Sequence, residues 1–335
     1  MATAAITWGC APAAKHDAHA LIVPARLTAE VGANAATRPA IESRTFTMQI
    51  VVTVKQPAAA AHRLDIWLAV PGDDREQTVR SLHVQSPWTD ALWVDPIYGE
   101  RVLHAWTDTP GAATLKVSFE ATRRAASVPP ANLQASASPP PGRYLEPDRL
   151  GVIDEDIRKR AAEITAGKLD APSKARAIYE YVTTHMAYDK TTPGWGRGDT
   201  VRACALGKGN CTDFHALFIS LARADGIPAH FKIGYQIPAD SAGGGVPGYH
   251  CWSEFLAPGL GWVPVDCSEA WKNPSRHNFY FGNLDGNRIE MSAGRDLKLP
   301  QMQGEPLNYL IGAYAELDGK PYSGIASAVT FAAVR

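Results

Sequence analysis

In Gly207-Lys208-Gly209-Asn210-Cys211-Thr212-Asp213-Phe214-His215-Ala216-Leu217-Phe218-Ile219-Ser220-Leu221-Ala222-Arg223, a flexible glycine-bearing run gives way at Cys211 to apolar residues at helical spacing. Phe214, Leu217, Phe218 and Leu221 share one face, and Gly226-Ile227-Pro228 ends the pattern, so the spacing predicts a helix that begins at Cys211. A thiol attacks as its thiolate, and the unpaired N–H groups and dipole at a helix start favour negative charge there. The glycines before it let a substrate backbone come close, and the Cys211 N–H can form part of an oxyanion hole. Taken alone, a free cysteine is most often simply a small buried residue.

The residues downstream change that balance. Residues 229–237, 249–256 and 261–265 read as successive strands, joined by 238–248 and by Ala257-Pro258-Gly259-Leu260. His250 begins the second strand and Asp266 ends the third. Adjacent antiparallel strands can hold an imidazole and a carboxylate beside the helix, which is what a thiol nucleophile needs as base and orienting group. Strand alternation turns the following residues, Cys251 and Cys267, away from that face, as core thiols or as a pair in an oxidising compartment.

Gly209-Asn210-Cys211-Thr212-Asp213-Phe214, with Leu217-Phe218, Leu221-Ala222-Arg223 and Gly226-Ile227-Pro228-Ala229, resembles the cysteine block of bacterial transglutaminase-like proteins. Tyr249-His250-Cys251-Trp252-Ser253-Glu254 resembles their histidine block, and Gly261-Trp262-Val263-Pro264-Val265-Asp266 their aspartate block. The resemblance spans about residues 175–270. It implies a papain-like fold and a Cys211–His250–Asp266 triad. His230, where many relatives carry arginine, and the long Ser241-Ala242-Gly243-Gly244-Gly245 loop depart from the pattern and bear on substrate choice.

Around the triad, Asp213 is placed to satisfy free N–H groups in the first helical turn. His215, one turn beyond Cys211, lines the cleft or is a buried ring donating to a carbonyl. Trp195, in the glycine-rich Pro193-Gly194-Trp195-Gly196-Arg197-Gly198, walls an acyl pocket or lends its indole N–H to an oxyanion; Asn210 and Tyr249 flank the reacting groups and are further substrate-binding or oxyanion candidates. Trp252 and Trp262 read as packing groups. Arg288 and Arg295 read as members of structural ion pairs or as binders of a substrate carboxylate. The 238–248 loop is a lid or a plain solvated connection.

Upstream, Phe46 to Val54, Leu64 to Val70, Val79 to Gln85, Arg101 to Thr107 and Thr114 to Thr122 read as short strands separated by Pro71-Gly72, Tyr98-Gly99 and Pro110-Gly111, the texture of a β-sandwich. Ile153 to Ala166 and the segment opened by Pro172-Ser173 read as helices. The expected architecture is α+β: a papain-like transglutaminase core of helices packed on an antiparallel sheet, preceded by a β-sandwich-like N-terminal domain. The expected boundaries are a leader or irregular arm at 1–43, a β-sandwich-like domain at 44–127, a Pro/Ala/Ser-rich linker at 128–146 and a catalytic domain at 147–335.

Lys plus Arg number 33 against 34 for Asp plus Glu, with no dense basic run, which removes nucleic acid as a partner. No apolar run reaches the length of a membrane span. Five cysteines without a CxxC pair argue against a zinc ribbon, no EF-hand-type carboxylate loop is present, and no cofactor or metal is called for. Ala18-His19-Ala20 resembles a cleavage site without a basic region before it, which points to the periplasm or the exterior. The expected activity is thiol-dependent acyl chemistry on a peptide or protein substrate, including peptides of the cell envelope, with hydrolysis ahead of transfer to an amine; an inert binding module is the contrasting reading.

Overall fold

The computed structural model describes residues 43–127 and 142–334. The expected leader, apart from Ser43, and most of the expected linker lie outside these residues. Strands come first: β1 (Ser43–Val54), β2 (Leu64–Val70), β3 (Gln77–Gln85), β4 (Thr89–Val94), β5 (Arg101–Thr107), β6 (Ala113–Arg124) and β7 (Ala126–Ser127). Helices α1 (Gly142–Leu145), α2 (Glu155–Thr165) and α3 (Ala171–His185) follow, then β8 (Ala187–Tyr188), α4 (Thr200–Leu206), β9 (Lys208–Gly209) and α5 (Cys211–Ala224). The chain continues through β10 (Ala229–Gln236), β11 (Gly243–Gly245), β12 (Tyr249–Ala257), β13 (Gly261–Val265), α6 (Cys267–Lys272) and β14 (Asn283–Leu284). It closes with β15 (Arg288–Ala293), β16 (Ala313–Leu317), β17 (Lys320–Pro321) and β18 (Ile325–Val334). The fold is mixed α+β with antiparallel sheets, as the sequence leads one to expect.

The described residues divide into two units, one from 142–230 and 252–284, the other from 43–126, 231–251 and 285–334. In the first, α2, α3 and α4 pack on α5, and α6 packs on α3 and α5. Each of the longer helices is stopped from fraying by a side-chain cap: Asp154 accepts from the Ile157 N–H at 2.9 Å, and Asp170 from Ser173 at 2.8 Å. Helix α5 is apolar nearly all round, and Cys211 through Arg223 are buried. Its one buried cation, Arg223, gives its hydrogen bonds to the carbonyls of Glu146 and Ala229 and to the Asp148 carboxylate, which offsets the cost of burying it. β12 and β13 form a hairpin in register from Ser253↔Val265 to Ala257↔Gly261.

The second unit holds two five-stranded sheets, ordered β11-β18-β1-β6-β3 and β17-β16-β2-β5-β4. β1 shows why it is a strand: Phe46, Met48, Ile50, Val52 and Val54 go inward while Thr47, Gln49 and Thr53 face out. β2 is buried on both faces. Leu64, Ile66 and Leu68 alternate there with Asp65 and Trp67, which meet His104 of β5: Asp65 pairs with the ring at 2.8 Å and Trp67 stacks on it at 5.0 Å. Both sheets contribute to one apolar core, each buried large side chain worth about 1.5–3 kcal/mol.

The expected division at 44–127 and 147–335 meets a different grouping. β16 and β18 lie beyond residue 147, yet β18 pairs with β1 from Thr45↔Val334 to Val54↔Ile325, and β16 pairs with β2. The physical reason is plain in β1, whose apolar face and two free edges require partners on both sides; β6 supplies one and β18 the other. The glycine-rich segment weighed as a lid or a plain connection is also in this sheet, with β11 added along β18 from Gly243↔Ala332 to Gly245↔Thr330.

Candidate active site

Cys211 is the first residue of α5, and its position is fixed from both sides. Before it, Gly207 closes α4 in the left-handed region at φ 59°, and β9 lies parallel to β8 with Tyr188 opposite Gly209. After it, a capping box holds the helix start: the Asn210 side chain accepts from the Thr212 N–H at 2.9 Å, and the Asp213 carboxylate accepts from the Asn210 N–H at 2.9 Å. Cys211, in no disulfide and 1% exposed, stands at the positive end of a 14-residue helix. Asn210, an oxyanion candidate from sequence, thus spends its side-chain oxygen on the cap.

Asp213 does more than close a cap. Its two oxygens also accept from the N–H groups of Gly196 at 2.7 Å and Gly198 at 2.9 Å, so a fully buried carboxylate ties the Trp195 loop to the start of α5. Burial pushes its carboxyl above the usual range, while the N–H groups of Gly196, Asn210 and Gly198 and the charge of Arg202 pull the other way. Gly209 must lack a side chain here, because a Cβ would sit 2.3 Å from Asp213 Oδ2. Gly194, Gly196 and Gly198 all have positive φ, the conformation that lets alternate N–H groups turn towards one acceptor. Sequence reasoning placed Asp213 in the helix but missed the loop it holds; the Gly-x-Gly-x-Gly spacing was the signal available.

His215 is buried, with both ring nitrogens engaged. Nδ1 donates to the Cys211 carbonyl at 2.7 Å, and Nε2 accepts from the Cys267 N–H at 3.0 Å. This uses the neutral ring with its proton on Nδ1, so the approach of Nε2 to Asp266 Oδ1 at 3.6 Å is proximity without an ion pair. His215 therefore joins the segment of Cys211 to the segment of Asp266. Asp266 itself stands one residue beyond β13 as the cap of α6, where Oδ1 accepts from Glu269 N–H at 2.9 Å and Ser268 Oγ at 3.0 Å. Strand alternation consequently ends before Cys267, which opens α6; its thiol is free and buried, and burial followed by the charge of Asp266 pushes it well above the usual range.

Cys211, Asn210, His215, Asp266 and Trp195 all lie in the first unit; His250 and Tyr249 lie in the second, at the start of β12. His250 is buried, and Tyr249 packs its ring 6.1 Å from Tyr309. Cys251 is buried in the core and in no disulfide. Trp195 is 36% exposed, with the Lys190 ammonium 5.9 Å from its ring centre. Trp252 is buried, and Trp262 packs between His230 at 4.3 Å and Tyr144 at 5.0 Å. His230 in turn meets the Glu254 carboxylate at 2.9 Å. Arg288 is buried near Asp285, and Arg295 gives Nε–H to Asn308 Oδ1 at 3.0 Å. Among the described residues no group of three or more His, Cys, Asp or Glu is arranged to hold a metal ion, and no helix is long and apolar enough to cross a membrane.

Comparison with known proteins gives three similarities. Residues 158–267 match the family model of the transglutaminase-like superfamily. A protein of Haemophilus influenzae, described as uncharacterised, is 27% identical over 322 residues, covering 83% of this chain and 86% of that one. A crystal structure from Cytophaga hutchinsonii, provisionally assigned as a cysteine protease, aligns over 88% of this chain and 92% of that chain with a TM-score of 0.56 at 17% identity, which is a likeness of fold.

Proposed function

From the premise that residues 158–267 form a domain of the transglutaminase-like superfamily, we propose that this protein is a thiol enzyme that cleaves a peptide or amide bond through Cys211, His250 and Asp266. The observation that carries the reading is the mounting of Cys211: a thiol outside any disulfide as first residue of a buried helix, preceded by the Gly209-Asn210 cap and followed by a locked first turn. A buried cysteine with only a packing role needs none of this apparatus.

In this mechanism His250 takes the thiol proton and the Cys211 thiolate attacks the amide carbonyl carbon. The carbonyl oxygen gains the negative charge, which the Cys211 N–H at the helix start is placed to receive. The tetrahedral adduct collapses by breaking the C–N bond, His250 returns the proton to the leaving amine, and a thioester remains on Cys211. Asp266 orients the His250 ring and balances its charge while it is protonated. Water, activated by the same imidazole, then attacks the thioester and restores the thiol. Hydrolysis is favoured over transfer because water is always present, whereas transfer requires a second binding site for an amine. The Ala18-His19-Ala20 segment supports a place in the periplasm or outside the cell.

The test is the rate of alkylation of Cys211 by iodoacetamide across pH, followed by mass spectrometry. A fast reaction persisting below the ordinary thiol range in the parent protein, and lost in His250→Ala, is the expected result. Slow alkylation following an ordinary thiol titration in both proteins sinks the triad and leaves an inert module. Adding a primary amine during turnover of a trapped acyl-enzyme separates the two fates: an amide product instead of the acid replaces hydrolysis by transfer.

A further inference from the structure

Three aromatic side chains of the first unit are held by the same segments that hold the proposed catalytic groups. Tyr188 sits opposite Gly209 in the β8–β9 pair, two residues before Cys211. Trp195 lies between Gly196 and Gly194 in the loop that Asp213 fixes through Gly196 and Gly198. Trp271 is on α6, the helix that Asp266 caps. Phe214, one turn into α5 from Cys211, touches two of them, with centroid distances of 6.2 Å to Tyr188 and 6.5 Å to Trp271. Tyr188 and Trp271 stack at 6.4 Å, and the Lys190 ammonium stands 5.8 Å from the Tyr188 centroid and 5.9 Å from that of Trp195. The rings therefore form a row, Trp195, Tyr188, Trp271, joined by Lys190.

The row is open to solvent. Trp195 is 36% and Trp271 38% exposed, unusual for the residue type that gains most from burial. Lys272 adds a second ammonium, 4.1 Å from the Tyr188 ring centre. Among the described residues, Lys190 has no carboxylate partner and neither indole N–H of Trp195 and Trp271 is hydrogen-bonded.

The carboxylates of the same segments are spent elsewhere. Asp189 is taken by the N–H and hydroxyl groups of Thr191 and Thr192, Asp213 by three N–H groups, Asp266 by the start of α6, and Glu269 by Lys272 and Asn273. What this face presents outward is thus one ammonium without a carboxylate partner, that of Lys190, and two indole N–H donors set on flat apolar surface, while the Lys272 ammonium is held by Glu269 at 2.8 Å. Its complement is a ligand with carboxylates beside apolar side chains.

We propose that the row Trp195, Tyr188 and Trp271 with Lys190 is a substrate-docking platform for an acidic polypeptide segment flanking the bond attacked by Cys211. The choice of a polypeptide rests on the acyl-chemistry reading above; the preference for carboxylates rests on the platform alone. The aromatic faces take the aliphatic or aromatic side chains of the segment, and the Lys190 ammonium and the indole N–H groups take its carboxylates.

The experiment measures binding apart from chemistry. The Cys211→Ala protein is titrated, by calorimetry and tryptophan fluorescence, with three blocked octapeptides that alternate leucine with glutamate, with glutamine or with lysine. The glutamate peptide is expected to bind about tenfold more tightly than the glutamine peptide, and the advantage to shrink at high salt. Lys190→Glu is expected to abolish the advantage, and Trp271→Ala to weaken binding of the glutamate and glutamine peptides alike, with thermal unfolding of each variant checked against the parent. Equal affinity for all three peptides, no binding of any, or an advantage that survives Lys190→Glu in a folded protein overturns the platform. Failure of the acyl reading shows separately, as slow alkylation of Cys211 in a protein that still prefers the glutamate peptide.

Discussion

Asp213 shows how much one residue can organise. Its two oxygens hold the Asn210, Gly196 and Gly198 N–H groups, so the start of α5 and the Trp195 loop share one anchor. Asp213→Asn keeps the shape but turns an NH2 group towards N–H donors, leaving at least one of them unsatisfied in a buried place. The expected cost is about 3 kcal/mol in urea unfolding, with slower alkylation of Cys211 because the helix start is no longer locked. A variant with parental stability and parental alkylation would show that the loop and helix hold each other without the carboxylate. His215 supports the same geometry from the opposite end of the turn, tying the Cys211 carbonyl to the Cys267 N–H. The cap by Asp213 and a His215 bond to a carbonyl were within reach of the sequence; the distant partners were not, with Gly198 and Gly196 lying 15 and 17 positions from Asp213 and Cys267 lying 52 from His215.

At the level of elements, β10 carries a strict requirement. The β10–β15 pair changes register between Ile233 and Gly234, and there the strands approach so closely that a Cβ on Gly234 would lie 1.9 Å from the Ile289 carbonyl oxygen. Gly234→Ala is expected to fail to accumulate as folded protein, or to lose several kcal/mol of stability, about as much as a severe core substitution; soluble yield and the thermal midpoint are the readouts. Parental stability would mean that the bulge can open without cost.

The strands legible in advance were those with strong β-branched or alternating patterns: β2, β5 and β13 have the expected limits, and β1, β3, β6, β10 and β12 lie within a few residues of them. β4 escaped because Thr89-Asp90-Ala91-Leu92-Trp93-Val94 is short and carries an aspartate. β18 escaped because alanine at four of its ten positions, residues 326, 328, 332 and 333, mutes the signal of Ile325, Val329, Phe331 and Val334. Asp266 was expected at a strand end; it is a helix cap, since six-residue α6 is too short to show a period. The transglutaminase-like blocks drew attention to Cys211; the supports around it depend on contacts that no local pattern encodes.

The second unit as a whole has a built-in dependence on pH. Glu290 pairs with Lys232 and lies 4.0 Å from Arg123, and burial pushes its carboxyl up to about 8, against the pull of Lys232. Burial likewise raises Glu100 to about 7, with Asp95 and Asp74 adding to the rise and Lys232 opposing it. A carboxyl raised on folding binds its proton more tightly in the native state than in the unfolded chain. Its contribution is therefore complete below the ordinary value of 4.5 and declines as pH climbs through about 7 and about 8. Urea midpoints are expected to fall between about pH 6 and pH 9, and to fall less in Glu290→Gln. A flat profile in the parent would mean that Lys232 and Arg123 hold both carboxylates ionised throughout.

The pairing of β1 with β18 also governs how the molecule is made. During synthesis β1 emerges well before β18, which lies about 270 residues further along the chain. One edge of β1 can be closed early by β6, but the other must wait for β18. For tens of seconds, then, the nascent chain displays a long, apolar, unpaired strand. Its yield in a cell should depend on whatever chaperone or secretion factor shelters that strand until β18 arrives.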